Sequence, residues 1–181
     1  MEDLGRMIDV VLDESPEIPI YVIGHSRGGG IALLRAAADK GISKVVSWAG
    51  VSDFKARFFE GSPAFEQWKK EGITYVENSR TKQQLPHKWQ FYEDFLANED
   101  KLTISKAVAS LEIPQLIVHG NQDPSVPFSE GEALHRWNPT SQLEIIEGAD
   151  HVFGMKHPWD REVMTDHMKD VVQRTISFLR D

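Results

Sequence analysis

The segment Gly24-His25-Ser26-Arg27-Gly28-Gly29-Gly30 restricts the fold more than any other part of the chain. It lies between Ile18 to Ile23, a β-branched and aromatic run, and Ile31 to Ala38, which is apolar nearly all round. The first run reads as a buried strand and the second as a helix packed against a sheet. The glycines between them then form a strand-to-helix bend so tight that side chains two positions either side of Ser26 have no room.

The pattern around the bend extends this unit. Gly41 closes the helix, and Lys44 to Ala49 reads as a second strand ended by Gly50. Strand, helix and strand joined by a few residues point to βαβ units and a parallel sheet covered on both faces. Upstream, Leu4, Met7, Ile8, Val11 and Leu12 make the stripe of an amphipathic helix over Glu2 to Glu14, stopped by Ser15-Pro16. Downstream, Gln115 to His119 reads as a strand, Ser129 to Trp137 as a helix and Gln142 to Ile146 as a strand. The last element, Asp160 to Leu179, places Met164, Met168, Val171, Val172, Ile176 and Leu179 on one helical face. The expected fold class is α/β: a three-layer α/β/α domain over residues 1–181, with a mostly parallel sheet of about four strands.

Residues 51–111 interrupt the alternation. Phe54, Phe58, Phe59, Phe65, Trp68, Trp89, Phe91, Tyr92 and Phe95 crowd into this aromatic-rich insertion. Ile73 to Val76 and Gln84 to His87 flank a polar turn, Asn78 to Lys82, and suit a small hairpin; short helices are expected around Ala64 to Lys70 and Trp89 to Leu96. An insertion of this kind is either a lid over a site or a satellite cluster covering the sheet.

Composition removes several function classes. Against 20 Lys plus Arg stand 28 Asp plus Glu, for a net charge of −8, and no basic cluster offers a phosphate-binding surface; no nucleic-acid partner is expected. The absence of cysteine excludes disulfides, thiolate metal sites and a cysteine nucleophile. The longest apolar run is far short of the roughly 20 residues that cross a bilayer. The opening MEDLGRM has no apolar core of its own, so a cytoplasmic location is expected.

A serine on a strained bend at a helix N-terminus is presented to solvent, where unpaired N–H groups favour developing negative charge. Gly24-His25-Ser26-Arg27-Gly28, between strand and helix, fits the G-x-S-x-G nucleophile elbow. Such a serine needs a base, and the base needs an acid to hold its tautomer. Of the seven histidines, His151 lies in a loop directly after the last strand, at the sheet edge where the bend emerges. His119 ends a strand and is expected to be buried; His87, His135, His157 and His167 fall at insertion, surface or helix positions. His25 adjoins the serine on a tight bend and reads as a pocket or packing residue. For the acid, Asp123 follows a strand and precedes His151, giving the chain order serine, acid, histidine; Asp53 and Asp150 are its rivals. Val51, Val126, Val152 and the aromatic insertion are expected as pocket walls, with His25 beside them. Acyl transfer to water from an ester or amide carbonyl is the chemistry this set predicts, and it needs neither metal nor cofactor.

With Gly-His-Ser-x-Gly-Gly at Gly24 to Gly29 and Asp-His-x-Phe at Asp150 to Phe153, the chain resembles the C-terminal two-thirds of an α/β-hydrolase fold enzyme. It is similar to the prolyl-oligopeptidase and dienelactone-hydrolase branches, although true dienelactone hydrolases use a cysteine that this chain lacks. The resemblance implies the roles of nucleophile, acid and base for Ser26, Asp123 and His151, and an oxyanion-hole donor in the Arg27 backbone N–H. It also implies strands before Ile18 and a second oxyanion donor from a loop after one of them. Only 17 residues precede Ile18, so that donor is absent from the sequence, and loss of one such donor costs on the order of 3 kcal/mol. The expectation is an N-terminally truncated form, or a sheet completed by a partner chain, because an apolar edge strand invites self-association. An inactive fragment or binding module and a small-peptide serine peptidase are the alternative readings.

Overall fold

The computed structural model describes residues 1–78 and 81–181. In chain order the elements are α1 (Glu2–Glu14), β1 (Ile20–His25), α2 (Arg27–Ala38), β2 (Ile42–Trp48), a 3-10 turn (Lys55–Phe58), α3 (Pro63–Glu71), β3 (Ile73–Glu77) and β4 (Gln84–Lys88). There follow α4 (Gln90–Ala97), a 3-10 turn (Glu99–Leu102), α5 (Ile104–Ala109), β5 (Gln115–Gly120), α6 (Phe128–Trp137), β6 (Gln142–Ile146) and α7 (Asp166–Arg180).

The chain forms two compact units, one of residues 1–52 and 104–181, the other of residues 53–103. In the first, β1, β2, β5 and β6 pair in that order, all parallel. Alternation along the strands sends successive side chains to opposite faces. Val46, Leu116, Val118 and Ile146 join Val171 and Phe178 of α7 in one buried cluster. On the other face, Ser47 meets Gly29 of α2, and His119 meets Gly131 of α6. All six residues of β5 are buried, as a central strand covered on both faces requires. Among the described residues β1 pairs with β2 alone, and it leaves Tyr21 and Ile23 exposed.

Some details differ from the sequence expectation. The C-terminal helix starts at Asp166, not Asp160, so Met164 precedes it, and Ile176 is exposed rather than on the buried face. The Thr165 side chain sets that start by accepting the Met168 N–H. The second compact unit, 53–103, lies within the expected insertion of 51–111. Val51 is buried in the first unit, and α5 returns to it by burying Ile104 and Val108 and packing on α2 and α6. Finally, Gly28 has open space where a Cβ would stand, so crowding does not require glycine there. The crowded positions are Gly24, whose Cβ would stand 2.2 Å from the Gly28 carbonyl oxygen, and Gly29, 2.8 Å from the Gly50 Cα.

In the second unit, β3 and β4 pair antiparallel; of the expected turn Asn78 to Lys82, residues 79 and 80 lie outside the described residues. Phe65, Trp68 and Tyr92 form its core, with Phe58 and Trp89 packed against them. The Trp68 indole N–H donates to the His87 carbonyl and ties α3 to β4. Among the described residues, no helix is long and apolar enough to cross a membrane.

Candidate active site

Ser26 stands between β1 and α2 at φ 57° and ψ −125°, a strained conformation for a residue with a side chain. The surrounding backbone holds it there. Its N–H donates to the Trp48 carbonyl, and its own carbonyl accepts from Gly29 and Val51 N–H groups. The absent side chain at Gly24 lets the first turn of α2 close against the end of β1.

The loop after β6 brings in His151. Oδ1 of Asp150 accepts the Val152 and Gly154 N–H groups, which turns the chain sharply. Phe153, fully buried at φ 55°, anchors the turn in the core edge-on to Trp48, and its carbonyl accepts the Thr165 hydroxyl. His151 Nε2 then lies 2.9 Å from Ser26 Oγ, across 125 positions of sequence.

Asp123 lies behind the ring, its side chain fully enclosed. Oδ1 accepts N–H donors from Ser125 (2.7 Å) and Val126 (2.9 Å), and Oδ2 lies 2.7 Å from His151 Nδ1. A carboxylate accepting two N–H groups on one oxygen is an acceptor on the other as well, which puts the shared proton on Nδ1. Nε2 is left with its lone pair toward the serine hydroxyl.

The rival carboxylates are occupied otherwise. Asp53 Oδ1 accepts from the Lys55 and Ala56 N–H groups, and Asp150 builds the turn just described. His25, expected as a pocket residue, donates from Nε2 to the His151 carbonyl at 2.8 Å, with the two rings 4.7 Å apart. The end of β1 thus clasps the histidine loop directly, a contact the sequence reading missed. Val51 and Val126, expected as pocket walls, are buried to 4% and 3% exposure; the Val51 N–H donates to the Ser26 carbonyl and the Val126 N–H to Asp123. Val152 is half-buried. Arg27, whose backbone N–H was the expected oxyanion donor, is the first residue of α2. The positions of His87, His135, His157 and His167 fall in β4, in α6, before Pro158 and in α7. No group of three or more His, Asp or Glu side chains among the described residues could hold a metal ion.

No family model matches the chain. A curated relative, 2,6-dihydropseudooxynicotine hydrolase of Paenarthrobacter nicotinovorans, is 27% identical over 158 residues, which is 84% of this chain. The chain spans 38% of that relative's length. Among solved structures, Est1E from Butyrivibrio proteoclasticus matches with a TM-score of 0.67 and 20% identity, covering 96% of this chain and 68% of its own. A monoacylglycerol lipase from Paleococcus ferrophilus matches at 0.65 and 17%, covering 98% and 75%. The first unit is thus a partial α/β-hydrolase fold, its parallel sheet flanked by helices on both faces.

Proposed function

We propose that the chain carries the nucleophile, base and acid of a serine hydrolase that cleaves carboxylic esters. The observation behind this reading is the unbroken hydrogen-bond chain from Ser26 through His151 to Asp123, assembled from three separate loops. His151 Nε2 takes the hydroxyl proton as Ser26 Oγ attacks the ester carbonyl. Charge on the resulting imidazolium is balanced by Asp123, and charge on the tetrahedral oxygen is met by the Arg27 N–H at the start of α2. Collapse returns the proton from Nε2 to the leaving alkoxide, and the acyl group stays on Oγ. Water then attacks the acyl-enzyme with the same imidazole as base, which releases the acid and restores Ser26.

Hydrolase relatives support hydrolysis, and the esterase and lipase among the solved structures favour an ester over an amide substrate. A fluorophosphonate probe and a short-chain aryl ester test the proposal together. Covalent labelling and turnover that both vanish in Ser26→Ala are the expected result. A folded chain that neither labels nor turns over the ester would refute it.

A further inference from the structure

His119 is a fully buried histidine outside the relay from serine to acid, and the protein bears visible costs to keep it. It lies on central strand β5, facing α6, where an aliphatic side chain would fill the space without polar atoms. Instead its Nδ1 is buried with no hydrogen-bond partner, which is unfavourable for a polar atom taken out of water. The facing helix carries Gly131, a poorer helix former than alanine. A Cβ on Gly131 would stand 2.8 Å from that same Nδ1, so the glycine makes room for the imidazole.

The opposite nitrogen accounts for the arrangement. Nε2 donates to the Val126 carbonyl at 2.9 Å and lies 3.6 Å from Asp123 Oδ2. Val126 is the residue whose own N–H is bound by Asp123 Oδ1. The turn from Asp123 to Val126 is therefore closed by the carboxylate on one side and clamped by the imidazole on the other. Phe128 lies edge-on to the ring and limits its tilt.

We infer that His119 is a positioning residue for the acid: its Nε2–H fixes the Asp123–Val126 turn and borders Oδ2, keeping that oxygen aimed at His151 Nδ1. The inference rests on the triad reading above and extends it by one residue. Neutrality matters to it. Burial holds the His119 imidazole below the ordinary histidine range, against the opposing pull of the Val126 carbonyl, Asp123 and Glu130. A charged ring here would compete with the His151 imidazolium for the same carboxylate. Of the charged groups that bear on it, Glu130 directs its carboxylate to the Ser52 N–H and hydroxyl, Asp123 faces Nε2, and His151 lies beyond Asp123.

The test is a proton NMR titration of His151 in wild type, His119→Leu and His119→Gln, with the pH profile of ester turnover measured on the same samples. In His119→Leu the low-field Nδ1 proton of His151 moves upfield, while kcat falls about tenfold and KM holds. His119→Gln, whose amide can donate to the Val126 carbonyl, returns kcat to within about threefold of wild type. A folded His119→Leu with a wild-type His151 resonance overturns the inference. Should that variant not fold, Gly131→Ala displaces the ring without removing it. It must move the same resonance, and an unchanged signal overturns the inference equally. The resonance reads the Asp123–His151 pair whether or not the chain turns over ester. A silent enzyme with a His119-sensitive resonance therefore refutes the hydrolase proposal and leaves this inference standing.

Discussion

Gly120 is a backbone position whose smallest possible change reaches the proposed base. It ends β5, and a Cβ built there would lie 2.3 Å from the Ala149 carbonyl oxygen and 2.7 Å from its carbon. Ordinary contact begins at 3.4 Å, so Gly120→Ala is about 1 Å too tight, and the obstruction is backbone rather than a flexible side chain. That carbonyl accepts the Gln122 N–H, and Ala149 is two residues ahead of His151. A shift of that size in the loop would carry the 2.9 Å contact from His151 to Ser26 beyond hydrogen-bond range. Misplacement by about 1 Å costs roughly a hundredfold in rate, and the overpacking costs about 1–3 kcal/mol of stability. The assay is the second-order rate of fluorophosphonate labelling, with near-UV circular dichroism confirming a folded variant. Gly28→Ala, whose Cβ meets nothing within 4 Å, is the control and is expected to label at nearly the wild-type rate. Folded Gly120→Ala labelling at the wild-type rate would refute the claim that loop placement limits the serine.

Asp123→Asn should keep the fold yet lower kcat on the order of ten-thousandfold. An amide cannot accept two N–H groups on one side and the His151 Nδ1–H on the other; ester turnover above a tenth of wild type would contradict this. His25→Phe keeps a ring beside His151 but loses the bond to its carbonyl, with labelling expected to slow about three- to tenfold and stability little changed. Thr175→Val strips the partner from the Trp48 indole N–H and should cost about 1–3 kcal/mol in urea unfolding; an unchanged midpoint would show the bond to be dispensable. Stability also carries a pH signature from His119, whose folded pKa is depressed. As pH falls below 6.5 the unfolded chain binds a proton that the folded one does not, so unfolding free energy declines until the depressed value is passed. His119→Leu should flatten that slope, as read by denaturation at a series of pH values.

Local pattern made much of the first unit legible. The βαβ rhythm around the bend, the parallel pairing and the helix boundaries at Glu14, Ala38 and Trp137 follow from periodicity and glycine placement. The order serine, acid, histidine could be read along the chain, but the choice among Asp53, Asp123 and Asp150 could not be closed there. It depends on where each carboxylate directs its oxygens in three dimensions. Contacts across many residues were the harder part. Nothing near His25 indicates that a carbonyl 126 positions away will lie over its ring nitrogen. Gly28 and Gly29 look alike in sequence, and only the approach of Gly50 separates the replaceable one from the crowded one. Helix α5 has six residues, too short for a periodic signal, so its return to the first unit passed for more of the insertion.

The points where the chain leaves and rejoins the first unit have an evolutionary consequence. Departure comes just after Ser52, whose N–H is fastened to Glu130, and re-entry comes at Ile104, already sunk in the interior. The first attachment point is fastened by a hydrogen bond within the first unit, and the second by burial there. Residues 53–103 thus form a natural grafting site: lineages could lengthen, shorten or exchange the segment while the serine bend and its histidine loop keep their geometry.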